Sequence, residues 1–200
     1  MSTPFPATLL GKIADSQLLL NENRARSQSI LTRRRQVVSL GAGTSDRWEG
    51  FIRTVALDGT LLRAMWAFLL KVGSYGEWTI GDPDYTGPIS GQSSILVKGG
   101  SQTGVSLACD GATASVMTLR EGEYFQLGNG FHAMTADATA DGSGNVTLNF
   151  KPALRASPAD NATVELANPQ MLVHLTSEIS KATDDDKAGA FVLSFEESLG

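Results

Sequence analysis

Along this chain short apolar runs alternate with turn residues from Arg33 onward, while the first thirty residues are polar and weakly patterned. In that opening stretch the one apolar knot is Leu18-Leu19-Leu20, which reads as an arm or an edge element. Gln36–Leu40 then reads as a strand, residues 41–46 as a turn, and Arg47–Leu57 as a second strand. Trp48, Ile52 and Val55 give it the aromatic and β-branched content that suits a pleated, half-buried surface. Leu61, Leu62, Met65, Trp66, Leu69 and Leu70 recur at helical spacing and predict one core helix, opened by Asp58-Gly59-Thr60 and ended at Gly73. The spacing predicts a core built from Trp48, Leu62, Met65, Trp66, Leu69 and Trp78, with the Trp48 and Trp78 strands packed on the helix. On that reading Trp66→Ala costs roughly 3–5 kcal/mol, as large core truncations do.

Tyr75–Ile80 reads as a short strand before the break Gly81-Asp82-Pro83-Asp84-Tyr85-Thr86-Gly87-Pro88, whose two prolines and two glycines make it a linker or domain crossing. Strand-like runs follow at 95–98, 105–108, 114–119, 124–127, 131–136, 146–150, 162–166 and 171–175. Turn signals such as Gly128-Asn129-Gly130 and Asp141-Gly142-Ser143-Gly144-Asn145 separate them at the short intervals of a small barrel or sandwich. Residues 177–189 are polar and read as a second linker, and the chain closes on a clear strand over 190–196. A terminal strand after a linker needs a partner, so the economical arrangement returns it to the first domain. The fold class is therefore mainly β with one core helix (α+β), a β-sandwich-like domain carrying an inserted small β-barrel or sandwich.

Composition narrows the function classes. Twenty-one glycines favour turns and short strands, and no run of eighteen apolar residues predicts a membrane span. The N-terminus lacks a basic head followed by an apolar core, so no secretion signal is expected, and the lone Cys109 suits a reducing compartment. The net charge of −5 divides unevenly: residues 1–71 hold ten Lys/Arg against five Asp/Glu, and residues 72–200 hold six against sixteen. Patches of opposite sign suit self-assembly through complementary surfaces.

Candidate chemistry is sparse. His132 and His174 sit in strands with no ligand cluster at metal spacing, so structural histidines are expected. No Gly-x-Ser-x-Gly elbow is present. Asp141, Ser143 and Asn145 alternate like the start of a calcium loop but lack its closing glutamate, which leaves a plain hairpin turn. Asp184-Asp185-Asp186 reads as a solvated connector. Asp110, Glu121 and Glu123 could act as facing carboxylates on a sugar, yet the neighbouring Tyr124, Phe125 and Phe131 have strand spacing and are explained by core packing. Arg33-Arg34-Arg35, near Arg24 and Arg26, could touch phosphate; in an acidic chain they are better read as a subunit contact. No catalytic, cofactor-binding or metal-binding set assembles, so neither enzyme activity nor a cofactor is expected.

One ordered series of short motifs carries more. Arg34-Arg35-Gln36-Val37, Gly43, Arg47-Trp48-Glu49, Ala67-Phe68-Leu69, Tyr75-Gly76-Glu77-Trp78 and Gly81-Asp82-Pro83 come first. Residues 97–104, Gly122-Glu123-Tyr124-Phe125, 128–132, 141–144, Pro152-Ala153-Leu154-Arg155 and the closing Phe195-Glu196-Glu197 follow. Over residues 33–176 this series resembles the distal tail proteins of long-tailed (siphovirus-type) bacteriophages. The resemblance implies a virion component assembled in the host cytoplasm. It implies a belt domain, here 1–94 plus 179–200, closing as a homohexameric ring around the DNA channel, with a β-rich domain, 95–178, inserted in it. It further implies partners in the tail tube protein, the tape-measure protein and the tip hub protein, with no membrane and no specific nucleic acid beyond DNA passing through the lumen. The alternatives are a carbohydrate-binding tail-tip module for host attachment and a hydrolase dependent on Glu121 or Glu123.

Overall fold

The helical stripe and the strand alternation both find their elements in the computed structural model, which describes residues 3–21, 24–28, 35–39, 46–73, 76–176, 180–183 and 189–198, by backbone alone at 24–28, 35–39 and 180–183. The chain begins with β1 (Thr3–Pro4), the one-turn helix α1 (Ala7–Leu10), β2 (Ile13–Asn21), β3 (Arg24–Gln28) and β4 (Arg35–Ser39). Next come β5 (Arg47–Thr54), α2 (Gly59–Val72), β6 (Glu77–Ile80), β7 (Ser94–Val97), β8 (Gly104–Asp110) and β9 (Met117–Leu119). After them run β10 (Tyr124–Leu127), β11 (Gly130–Met134), β12 (Ala138–Thr139) and β13 (Val146–Leu154). The last four are β14 (Thr163–Glu165), β15 (Met171–Leu175), β16 (Ser180–Thr183) and β17 (Gly189–Glu197). The fold class is mainly β with one long helix, as the patterning predicts.

Two compact units divide the chain: Met1–Leu19, Trp48–Tyr85 and Gln170–Gly200 form one, Leu20–Arg47 and Thr86–Pro169 the other. These bounds differ from the expected 1–94 plus 179–200 and 95–178. Met171–Leu175 belongs to the first unit because it pairs with β6 and β17, and the segment before Ser94 belongs with the barrel it enters.

The first unit is one sheet in the order β1-β6-β15-β17-β5-β2, with β16 also pairing β17. β1 runs parallel to β6, while β15, β16, β17 and β5 pair antiparallel. Alternation along β17 buries Phe191, Leu193 and Phe195 and turns Val192 outward. The buried side meets α2. Phe68 packs edge-on against Trp78 at 5.4 Å between ring centroids, and Trp78 in turn meets Phe195 at 5.7 Å. Phe5, directly after β1, completes this cluster at 5.4 Å from Phe68. β1 and β2 are thus the two edge strands of the sheet, so of the two readings of Leu18-Leu19-Leu20 the edge element holds and the arm does not. Trp48 is buried too, and the β5–β17 register puts it on the side of Ile52 and Phe195.

Within α2 the buried positions are Met65, Phe68, Leu69 and Val72, an i, i+3, i+4, i+7 arc. Leu61 and Leu62 are half-buried, Trp66 is 38% exposed and Leu70 80% exposed, so only Met65 and Leu69 of the six expected stripe residues are fully buried. The doublet spacing fits two rotations of the helix one residue apart, and the aromatic partners of Phe68 select the other one. Gly73 ends the helix at φ +63°, its N–H donating to Leu69 O at 2.8 Å. A Cβ on Gly50 would meet Gln17 O at 2.3 Å, so only glycine lets β2 pass β5 there.

The second unit holds a closed barrel in the order β10-β11-β13-β8-β7-β14, filled by Leu107, Phe125, Leu148, Phe150, Val164 and Leu166. β9 and β12 form a separate two-stranded sheet, as do β3 and β4. The expected linker over 177–189 contains β16, which pairs with β17 from Ser180↔Val192 to Thr183↔Gly189. Arg33, Arg34, Asp184, Asp185 and Asp186 lie outside the described residues, as does the side chain of Arg35. Folding also redistributes charge. The first unit carries six Lys/Arg against twelve Asp/Glu and the second ten against nine, so the basic start of the chain does not make a basic unit.

Urea unfolding should separate the two tryptophans. Trp78→Ala is expected to cost about 3–5 kcal/mol and Trp66→Ala roughly half as much, because Trp66 is partly exposed and keeps an edge contact with Phe191. Equal losses would contradict the observed rotation of α2.

Candidate functional site

β11 carries His132 into the barrel, where it stacks on Phe125 at 5.0 Å and 24° and meets Phe150 edge-on at 4.8 Å. Its Nδ1–H donates to the Pro152 carbonyl at 2.8 Å, which fixes the proton on that nitrogen. Burial lowers its pKa to about 4, and the nearby Arg155 charge acts in the same direction against the opposing Pro152 bond. This is a core histidine, as the strand context suggests.

Asp141 folds its carboxylate back onto its own turn. Oδ1 accepts from Ser143 N at 2.8 Å and Asn145 N at 2.9 Å, and Oδ2 accepts from Asn145 Nδ2 at 2.9 Å. The Asn145 side-chain bond, followed by the two backbone bonds, holds the Asp141 carboxyl below the usual range. Lys98 Nζ then donates to Asn145 Oδ1 at 2.7 Å. Both carboxylate oxygens therefore close a turn.

Glu123 is likewise structural. Oε1 accepts from Ile89 N at 3.0 Å and Oε2 from Arg120 N at 2.9 Å. Glu121 is exposed and presents its backbone N–H to Asp137 Oδ1 at 2.8 Å. Tyr124 stacks on the buried Phe131 at 5.0 Å, and Phe125 lies fully inside, so strand packing accounts for these rings. In the barrel core, burial and the adjacent Asp110 charge push the Cys109 thiol up to about 12, which keeps it protonated and unreactive. Two glutamines that composition does not single out staple loops to strands. Gln102 Oε1 accepts from Ala108 N at 2.6 Å while its Nε2 donates to Ala108 O at 3.0 Å, replacing a strand neighbour. Gln92 donates to Gly111 O at 2.7 Å and accepts from Thr113 N at 3.1 Å.

His174 occupies a different setting. On the sheet face away from α2 it stands opposite Glu77 on β6 and Glu196 on β17, and Glu196 stands opposite Glu49 on β5. Three carboxylates and one imidazole thus form a row across four strands, roughly 14 Å long at about 4.8 Å per strand. Glu77 also accepts from Ser198 Oγ. Alternation puts each of these residues on a face, but only the register aligns them. Among the described residues no group of three or more His, Cys, Asp or Glu is placed to hold a metal ion, and no helix is long and apolar enough to cross a membrane.

No protein-family model matches this chain, and no curated protein matches it in sequence.

The barrel histidine makes stability depend on pH. Above pH 6.5 His132 is neutral both folded and unfolded; between 6.5 and about 4 only the unfolded chain takes up the proton. Unfolding free energy should fall by about 3 kcal/mol across that window and then level off. Chemical denaturation at several pH values should show this slope reduced by one proton in His132→Gln; an unchanged slope would mean that His132 is protonated within the fold.

Proposed function

We propose that this chain is a ring-forming structural subunit of a bacteriophage tail tip, a distal tail protein joining the tail tube to the tip hub around the DNA channel. The observation that carries this reading is the return of β17. It pairs with β5 and β15 inside the first unit's sheet, so a barrel-containing segment is borne between two parts of one discontinuous unit. That is the order of parts which the motif series of distal tail proteins implies. In this role the sheet unit supplies the belt and the barrel is its peripheral decoration. The partners are further copies of the chain, the tube protein above, the hub below and the tape-measure protein inside, and the protein resides in the virion.

The same geometry gives little to the two alternatives. A lectin-like barrel draws on aromatic platforms facing solvent, whereas Phe125, Phe131 and Phe150 are buried and Tyr124 lies flat on Phe131. A hydrolase acting through Glu123 would need a carboxylate free to meet substrate, and both oxygens of Glu123 hold backbone N–H groups.

Mass photometry across protein concentration tests the proposal. A species about six times the 21.1 kDa chain is expected, alone or beside the tail tube protein. A monomer under both conditions would rule out the ring.

A further inference from the structure

The connection between β10 and β11 holds the one Asn-Gly step of the chain. Leu127 pairs with Gly130, so Gly128 and Asn129 alone make the turn, and both are exposed. Packing inside the barrel demands the glycine that follows. A Cβ on Gly130 would meet His132 Nε2 at 2.6 Å and Leu127 O at 3.3 Å. The His132 ring cannot give way, because it is stacked on Phe125, meets Phe150 edge-on and is bonded to Pro152 O. The fold therefore sets bare backbone directly after an exposed asparagine.

That pairing has a chemistry of its own. The backbone nitrogen after an asparagine can attack the side-chain carbonyl carbon, and a side chain on the attacking residue hinders the approach; glycine has none. We propose that Asn129 is a self-modifying site, whose side-chain amide is lost to the Gly130 nitrogen. Gly130 N bonds to Asn129 Cγ, the Cγ–Nδ2 bond breaks, and the proton from Gly130 N leaves with the amide as ammonia. Water then opens the five-membered imide at either carbonyl, giving isoaspartate or aspartate. Gly130 N lies in the closing pair of the hairpin, so attack waits on that end opening. An exposed two-residue turn opens more readily than the middle of a strand.

Four other described asparagines are guarded. Asn145 Nδ2 donates to Asp141 Oδ2 and its Oδ1 accepts from Lys98 Nζ, while Asn161 Nδ2 donates to Asp160 Oδ2. Asn149 lies inside β13 ahead of the buried Phe150, and Asn168 precedes Pro169, which has no N–H to attack with. Modification at Asn129 also reaches the core. Isoaspartate routes the main chain through the former side chain and lengthens it by one carbon, for which a two-residue turn has no slack. The Leu127↔Gly130 pair is then lost, and the Gln126↔Phe131 and Phe125↔His132 pairs behind it are weakened. The inference is independent of the tail-tip reading.

Ageing the purified full chain at mildly alkaline pH, followed by peptide mapping with mass spectrometry, tests it. The peptide holding Asn129 should lose its amide, with isoaspartate exceeding aspartate, before those holding Asn145, Asn149, Asn161 or Asn168 change. Aged wild type should unfold at lower urea than fresh protein. Asn129→Ser, checked for folding by far-UV circular dichroism, should show no such drop on ageing. An Asn129 amide that persists, or one of those four asparagines reacting first, would overturn the proposal. Aspartate without isoaspartate would replace cyclisation by direct hydrolysis, and an equal drop in Asn129→Ser would place the damage elsewhere; either would overturn it too.

Discussion

The first unit depends on the ladder between β5 and β17. Backbone pairing runs from Val192↔Arg53 to Glu196↔Glu49, and a side chain finishes it at each end. Thr54 Oγ1 accepts from Phe191 N at 3.0 Å, and Glu197 Oε2 accepts from Trp48 N at 3.1 Å. Both of these polar groups are buried, so each satisfied bond removes a cost of roughly 1–3 kcal/mol for an orphaned group. Phe191 and Phe195 then reach from β17 to Trp66 and Trp78, which ties the helix to the strand. Without β17 the sheet would lose its centre, with β6 and β15 on one side and β5 and β2 on the other.

Joining segments some 140 residues apart would be costly for a loose chain, because loop closure costs more entropy as the loop lengthens. The insertion lessens that cost by folding with its own ends together. β7 and β14 are antiparallel neighbours, with Ser94 opposite Glu165, and Ser93 O accepts from both Leu166 N and Ala167 N. Glu123 and Gln92 fasten the incoming segment to the barrel, and Glu165 Oε1 accepts from Ala167 N and Asn168 N on the way out. To the sheet, the barrel is therefore a short connection whose ends are already adjacent. A decorating domain can be carried this way at little cost to a ring-forming one, which is the arrangement the proposed tail-tip role requires.

Much of this was legible from local pattern. α2 runs from Gly59 to Val72 between the expected opening residues and Gly73, and β10 and β15 have their expected bounds. Glycine bounds α2 and β10 and Asn168-Pro169 precedes β15, so local chemistry decides these segments. The rotation of α2 was not legible, because Trp66 and Phe68 are equally apolar and only the Phe5–Trp78 cluster chooses between them. Only the knot Leu18-Leu19-Leu20 hinted at the edge strand β2, whose full length and whose counterpart β1 were not legible because an edge strand alternates weakly, and Phe5 counts as core only once Trp78 stands beside it. The acidic row around His174 depends on lateral register, which the sequence of any one strand does not contain. Glu123 and Asp141, by contrast, bond close neighbours and behave as their turn context suggests.

The central structural claim is that the last strand completes a unit begun near the N-terminus. Amide hydrogen exchange along β17 tests this most directly. The account predicts that the amides of residues 191–196 exchange among the slowest in the first unit, alongside those of β5 and β15. Rapid exchange across β17 while β5 and β15 stay protected would show a sheet that closes without it, and would contradict the account.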